Sequence, residues 1–215
     1  MTNKTEYLRA FYTPIIANRI NLKQSEYDAI NNLLLKLEME KWENQQPSQI
    51  IEKDVYESPH RLFQREEYEI KNIATKITNQ VLDVVCKLNN YTGIQKSNLL
   101  TYAASWFHIT RKGGFVQPHN HPNASWSAVY CTDSGEDENT KTETELVLMN
   151  PAIIPMYIDA GNANINLPAA SDTIRFKLKA GDLLIFPSNL MHFVTPHLSS
   201  RERITIAVNF WFSLK

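Results

Sequence analysis

Two stretches of the chain place their apolar residues three or four positions apart, which is the period of an amphipathic helix. The first stripe is Tyr27, Ile30, Leu33, Leu34 and Leu37. The second stripe is Ile70, Ile73, Ile77, Val81, Val84 and Val85. An N-cap at Ser25 and turn-forming residues after Trp42 predict one helix over about 25–42, and the second helix is predicted to end near Asn89. We expect both helices to pack on a sheet.

From Leu99 onward the apolar residues alternate as they do in β-strands. The run 99–110 predicts one strand, on which Trp106, His108 and Thr110 share a face. Further strands are predicted at 125–132, 145–149, 173–178, 182–186, 191–195 and 203–212. A strand at 10–17 contains a proline, which favours the edge of a sheet. The acidic segment 133–138 predicts a solvated hairpin loop, with cation binding as the alternative. The segment 151–171 predicts a long loop that acts as a lid or binding segment.

Two helices followed by short strands predict a mainly β fold with a helical layer. We expect a jelly roll or barrel with the N-terminal helices packed on one sheet. We expect a single domain over 1–215, made of a helical N-terminal part at 1–95 and a β core at 96–215.

Composition and charge narrow the class of protein. Apolar residues make up 43% of the chain, which is enough for a substantial core, and the net charge is -1. This balance does not indicate nucleic acid or an anionic membrane as a partner. We expect no signal peptide and no membrane span, since no apolar run approaches about 20 residues. Cys86 and Cys131 are expected to be free thiols of a cytoplasmic protein.

The segment from Gln117 to Pro122 holds two histidines, His119 and His121, with a proline before and after the pair. An extended segment points alternate side chains to the same side, so both imidazoles could reach one metal ion. Imidazole is a ligand for iron, zinc, copper and nickel. The alternative is a pair of exposed loop histidines. His192, which follows a strand and a turn, is the natural third ligand.

Other polar residues suggest separate roles. We interpret His197 as a surface-loop residue, and His60 and His108 as structural. The alternative for His108 is a place in the pocket beside Trp106. Arg203 and Thr205 share a face of the last strand, and a guanidinium beside a hydroxyl suits a carboxylate ligand. The alternatives are a salt bridge of Arg203 with Glu202 or another acid, and a role for the neighbouring Arg201 instead.

The order and spacing of these motifs resemble the 2-oxoglutarate/Fe(II)-dependent dioxygenases, in particular a small bacterial and phage family of such oxygenases. The similarity is strong from Ser105 to Phe210 and loose before it. The matching segments are 105–113, His119-Asn120-His121-Pro122, 127–130, 181–188, His192 and 202–209. The segment 11–14 is also similar to the opening strand of that family.

The resemblance implies a double-stranded β-helix (jelly roll, cupin-like), Fe(II), the cosubstrate 2-oxoglutarate and O2. His119 and His192 match metal ligands, while His121 stands where an acid is usual. Either three imidazoles bind the iron, which we favour, or His121 lies outside the ligand set. Arg203 matches the arginine that pairs with the distal carboxylate of 2-oxoglutarate, and Thr205 matches its hydroxyl partner. The residues expected to line the pocket are Tyr102, Trp106, Ser127 and Tyr130.

The function implied is hydroxylation of a C–H bond with release of succinate and CO2. The substrate stays open between a small molecule and a protein side chain, and a homodimer is possible on the sequence. One alternative is a three-histidine cupin-type dioxygenase without a 2-oxo acid, which leaves Arg203 and Thr205 without a role. Another is a non-catalytic jelly-roll module in which the histidines are structural or hold zinc.

Overall fold

The computed structural model describes residues 12–42, 48–51, 54–136, 144–151 and 172–215. The helices are α1 (Gln24–Met39), α2 (Tyr68–Asn89) and α3 (Ile94–Ser97), with a 3-10 turn at Leu62–Gln64. The strands are β1 (Ile16–Arg19), β2 (Val55–Glu57), β3 (Leu99–Thr110), β4 (Val116–His119), β5 (Trp126–Asp133), β6 (Leu146–Met149), β7 (Thr173–Phe176), β8 (Asp182–Pro187), β9 (His192–Val194) and β10 (Arg203–Leu214). The start of the predicted strand 10–17, the end of the acidic loop 133–138 and nearly all of the loop 151–171 lie outside the described residues.

The described strands form two antiparallel sheets. One sheet has six strands in the order β1-β8-β5-β10-β3-β2, and the other has four in the order β4-β9-β6-β7. The two sheets share a buried cluster in which Leu146 and Leu148 of β6 pack with Leu184 and Phe186 of β8. This arrangement confirms the predicted mainly β fold, a double-stranded β-helix.

Alternation along the long strands gives the six-stranded sheet two distinct faces. The outer face shares a buried cluster with the helices, in which Ile30 and Leu34 of α1 and Ile77 of α2 meet Phe107 and Ile206 of the sheet. The inner face carries the residues predicted to share a face on β3 and on β10, which are Trp106, His108, Thr110, Arg203 and Thr205. Asn209 of β10 lies on the same face.

The element bounds follow local chemistry. The second helix ends at Asn89 as predicted, because Asn90 adopts a left-handed conformation with φ 55°. β3 spans the predicted residues 99–110. β1 lies at one end of the six-strand order, which agrees with the expected edge position. β2 was not predicted, because three residues are too few to show a period.

Cys86 and Cys131 are buried free thiols, as the sequence predicted. In the part of the chain that the structure describes, none of the helices combines the length and apolar character needed to cross a membrane.

Candidate active site

Three histidines converge between the sheets. His119 ends β4, His192 begins β9, and the two are directly paired across the strands. His121 follows β4, and its ring centroid lies 5.0 Å from that of His119 and 5.3 Å from that of His192. Each histidine offers one nitrogen, and these three atoms all lie within 4.8 Å of one another. The structure therefore brings together all three predicted metal ligands, which we call the histidine triad.

Two members of the triad are fixed by their own backbone. His119 Nδ1 lies 2.7 Å from the Gln117 carbonyl, and His192 Nδ1 lies 2.8 Å from the Leu190 carbonyl. A carbonyl oxygen can only accept, so each Nδ1 carries the proton and each Nε2 keeps its lone pair. This is the tautomer and orientation that a metal ligand needs.

Burial keeps the imidazoles uncharged. It lowers the pKa of His119, and it lowers the pKa of His121 to about 4 and that of His192 to about 3, with the neighbouring histidines adding to the effect. At neutral pH all three rings are therefore neutral, as metal binding requires.

Local structure explains how the triad is held. Pro118 lacks an N–H, and it is tolerated because β4 lies at the edge of its sheet. The backbone N–H of His121 donates to the Ser188 carbonyl at 2.8 Å, and the Asn120 side chain donates to the Asn189 carbonyl at 3.1 Å. These bonds tie the histidine pair to the turn that precedes His192.

Arg203 and Thr205 lie in the same cavity as the triad. Arg203 is only 3% exposed, and among the described residues no carboxylate forms an ion pair with it. The nearby acids Glu202 and Asp133 pair instead with Arg111 and Arg201. Burial lowers the pKa of Arg203, but a guanidinium remains charged in proteins. The cavity thus holds an uncompensated cation.

A buried carboxylate beside the cavity was not anticipated from the sequence. Glu57 of β2 accepts hydrogen bonds from Ser48 at 2.8 Å and from His108 Nε2 at 3.1 Å, and it lies 3.4 Å from His60 Nε2. Burial alone raises the pKa of Glu57, but the hydrogen bonds of His108 and His60 outweigh it and leave the pKa below its usual value. His108 lines the cavity, and Glu57 fixes its ring.

The residues predicted to line the pocket divide into two groups. Trp106 and Ser127 line the cavity. The placement of Tyr130 was wrong: it lies on the opposite face of β5, and its hydroxyl donates to the Ile20 carbonyl at 3.1 Å. Strand alternation explains this, since Ser127 and Tyr130 are three residues apart. Tyr102 does not line the cavity either, because it is 55% exposed at the far end of β3.

The interpretation of His197 as a surface residue was also wrong. Its ring is buried, with Nδ1 2.8 Å from Thr144 Oγ1 and Nε2 2.7 Å from the Arg201 carbonyl. Arg201 itself is half exposed and bonded to Asp133, which agrees with its lower rank as a ligand-binding arginine.

Changing His197 to Ala is expected to lower the free energy of unfolding by about 1–3 kcal/mol, because two buried hydrogen-bonding groups lose their partner. Chemical denaturation measures this loss. His60→Ala, at a half-exposed position, is a control that should cost less. Since His197 lies outside the triad, metal binding by the folded variant should not change. Weaker metal binding without loss of stability would contradict a purely structural role.

The donor set of the triad fits a first-row transition metal. Three neutral imidazoles within reach of one ion suit iron, and fewer than six protein ligands leave coordination positions for a small ligand and O2. A chelating 2-oxo acid at such an ion could extend its other carboxylate toward the uncompensated guanidinium of Arg203.

Comparisons with known proteins agree with this geometry. The model of a family described as "Putative 2OG-Fe(II) oxygenase" matches residues 104–209, which include the triad, Arg203 and Thr205. A comparison with curated proteins gave no significant match.

Solved structures with the same fold come from several enzymes. A Pseudomonas putida prolyl-4-hydroxylase is 15% identical, with a TM-score of 0.62 and coverage of 94% of each chain. A Trichoplax adhaerens prolyl hydroxylase, solved with a hypoxia inducible factor peptide fragment, is 13% identical, with a TM-score of 0.61 and coverage of 92% of this chain and 83% of that chain. The alpha ketoglutarate dependent carbocyclase SnoK from nogalamycin biosynthesis is 11% identical, with a TM-score of 0.61 and coverage of 92% and 79%.

At these identities the structural likeness shows the fold alone, whereas the family match also covers the residues of the site. Residues 104–209 match the 2OG-Fe(II) oxygenase family, whose members are oxidoreductases that use Fe(II), 2-oxoglutarate and O2.

Proposed function

We propose that this protein hydroxylates a C–H bond of its substrate with conversion of 2-oxoglutarate to succinate and CO2. In this proposal His119, His121 and His192 hold Fe(II), and Arg203 with Thr205 binds the distal carboxylate of 2-oxoglutarate. The observation that carries the proposal is the buried guanidinium of Arg203, which shares one cavity with the triad and has no carboxylate partner among the described residues.

The unpaired, buried charge of Arg203 carries an electrostatic cost. A buried ion is strongly unfavourable unless it is paired, so a buried arginine without a partner indicates a missing anion. A planar guanidinium binds a carboxylate through two parallel hydrogen bonds. Thr205 lies two residues further along the same face of β10 and adds a hydroxyl donor.

The residues of the chain have separable roles in the reaction. Bound Fe(II) supplies the activation of O2 that couples decarboxylation of 2-oxoglutarate to substrate oxidation. The histidine triad holds the ion, Arg203 orients the cosubstrate, and the apolar walls formed by Val129, Leu146 and Phe186 limit access of water.

At position 121 this chain has a histidine, whereas the usual set of metal ligands is two histidines and one carboxylate. We propose that His121 is a ligand, because its nitrogen lies as close to its neighbours as a shared ion requires. Three neutral ligands leave the ion with its full positive charge, which should favour the dianionic cosubstrate.

Hydroxylation is the specific reaction that we propose. The structural neighbours include two prolyl hydroxylases, a carbocyclase and an epimerase, so the fold is compatible with several outcomes. We also propose that 1–215 is one domain, because β1 and β2 join the same sheet as the strands of the β core.

The imidazole at position 121 also favours a second candidate, a three-histidine dioxygenase that uses no 2-oxo acid. The two candidates differ in the role of Arg203. Only the 2-oxoglutarate-dependent reaction gives that buried cation an anionic partner.

Anaerobic addition of Fe(II) and 2-oxoglutarate tests the proposal. We expect a metal-to-ligand charge-transfer band, because the 2-oxo acid chelates the ion. Admission of O2 should then release succinate. An iron-loaded protein that gives neither the band nor succinate would support the second candidate instead.

A further inference from the structure

We infer that the cavity has a second subsite, in which Trp106 and Asn209 donate hydrogen bonds to a carbonyl oxygen of an uncharged group on the substrate to be oxidised. The inference rests on the proposed function and deepens it, because it defines the chemical class of the substrate at the same site. It starts from two buried polar side chains that no function has yet explained.

Trp106 provides the first donor. Its side chain is 4% exposed and lines the cavity, and its Nε1 is buried without a hydrogen-bond partner. An indole N–H can only donate, and a buried unpaired donor is unfavourable. The ring lies 5.6 Å from that of His121, so this donor belongs to the immediate surroundings of the triad.

Asn209 provides the second donor. Its side chain is 8% exposed and lines the same cavity. Ser127 Oγ donates to Asn209 Oδ1 at 2.7 Å and lies 2.9 Å from Ser188 Oγ. Because Ser127 has one hydroxyl proton, Ser188 must donate to Ser127. This chain of hydroxyls turns the amide so that Nδ2, for which the described residues provide no acceptor, is left for a ligand.

Asn209 lies too far along β10 to share the carboxylate that Arg203 binds. A strand rises about 3.3 Å per residue, so six positions from Arg203 to Asn209 span about 20 Å, which is longer than a five-carbon diacid. On the same face, Asn209 lies between Ala207, which pairs with Trp106, and Trp211, which pairs with the exposed Tyr102. The subsite therefore lies between the triad and the open end of the sheet face.

The charges of the lining residues define the ligand. Arg203 is the only residue with a fixed charge among the described residues that line the cavity, and the cosubstrate neutralises it. Near Asn209 and Trp106 the lining offers neutral donors only. A carboxylate would find no cationic side chain there, whereas an amide or ketone oxygen would be satisfied by the two neutral donors.

Nuclear magnetic resonance of the indole N–H groups tests the inference on the full chain loaded with Zn(II) and 2-oxoglutarate. The chain has four tryptophans, and Trp106→Phe assigns the signal of Trp106. The probes are a panel of N-acetyl amino-acid methylamides, with the corresponding amines that lack both carbonyl groups as matched controls. We expect at least one methylamide to move the Trp106 proton signal downfield, and none of the amines to do so.

Changing Asn209 to Leu should weaken binding of that methylamide by about 10-fold, because one of two donors is lost. Asn209→Asp keeps the shape of the side chain and replaces its N–H donors by an oxygen, so it should also weaken binding of that methylamide. This variant provides the test if Asn209→Leu does not fold. Asn32→Leu, on the exposed face of α1, is the control and should bind as the unchanged chain does.

Three results would overturn the inference: no methylamide moves the Trp106 signal, the amines move it equally, or both Asn209 variants retain full affinity. The Fe(II) and 2-oxoglutarate charge-transfer band reports separately on the proposed function. A normal band with any of these three results would remove the subsite and leave the oxygenase proposal intact.

Discussion

Replacement of Arg203 by alanine is expected to raise the 2-oxoglutarate concentration needed for half-saturation by about 30-fold or more. Removing one partner of a buried, hydrogen-bonded charge pair costs about 2–5 kcal/mol, and each 1.4 kcal/mol is a factor of ten in affinity. Titration of the anaerobic Fe(II) protein, followed by the charge-transfer band, measures this change. Iron binding itself should persist, since Arg203 is not a metal ligand.

Substitution of Arg203 should affect the stability of the free protein differently from its affinity for 2-oxoglutarate. Arg203 is buried without an anion in the free protein, so its charge is a cost that the cosubstrate removes. Arg203→Met, which keeps much of the volume, should therefore be as stable as the unchanged protein or more stable in thermal unfolding without ligands. Arg201→Ala is the matched control, because Arg201 is exposed and paired with Asp133. If Arg201→Ala and Arg203→Ala raised the half-saturating 2-oxoglutarate concentration equally, Arg203 would not be the arginine that binds the cosubstrate.

Replacement of His192 by alanine is expected to abolish stoichiometric Fe(II) binding, and with it succinate release. His192 is the most buried member of the triad, and its Nδ1 bond to the Leu190 carbonyl directs Nε2 toward the other two rings. Two remaining imidazoles form a weak site in which water must replace a protein ligand. Anaerobic equilibrium dialysis against Fe(II) measures the loss.

Variants at position 121 separate a metal ligand from a neighbour of the ion. His121→Ala should weaken Fe(II) binding strongly, whereas His121→Asp should restore it, because a carboxylate completes the common two-histidine, one-carboxylate set. His60→Ala changes a histidine outside the triad and serves as the control. If His121→Ala bound iron as tightly as the control, His121 would not be a ligand.

The sequence predicted those features that depend on strong local periodicity. β3 was placed at its observed bounds because its alternation extends over twelve residues. The pairing of Arg203 and Thr205 on one face followed from the same alternation. His119, His121 and His192 were brought together by motif spacing and family resemblance, since no local rule places residues seventy positions apart.

The remaining features depend on contacts that local patterns do not show. Alternation separates Tyr130 from Ser127, so the prediction that both residues line the pocket could not hold for both. Burial of His197 depends on Thr144 and on the Arg201 carbonyl, which reach it only in the folded chain. Glu57 lies in a strand of three residues, so its bond to His108 across the β2–β3 pair had no sequence signal.

A crystal structure of the anaerobic protein with Fe(II) and 2-oxoglutarate would show the metal ligands and the partner of the cosubstrate together. We predict one ion held by nitrogen atoms of His119, His121 and His192, with the cosubstrate chelating that ion and its distal carboxylate paired with Arg203. An ion bound elsewhere, or a cosubstrate whose distal carboxylate leaves Arg203 unpaired, would contradict this prediction.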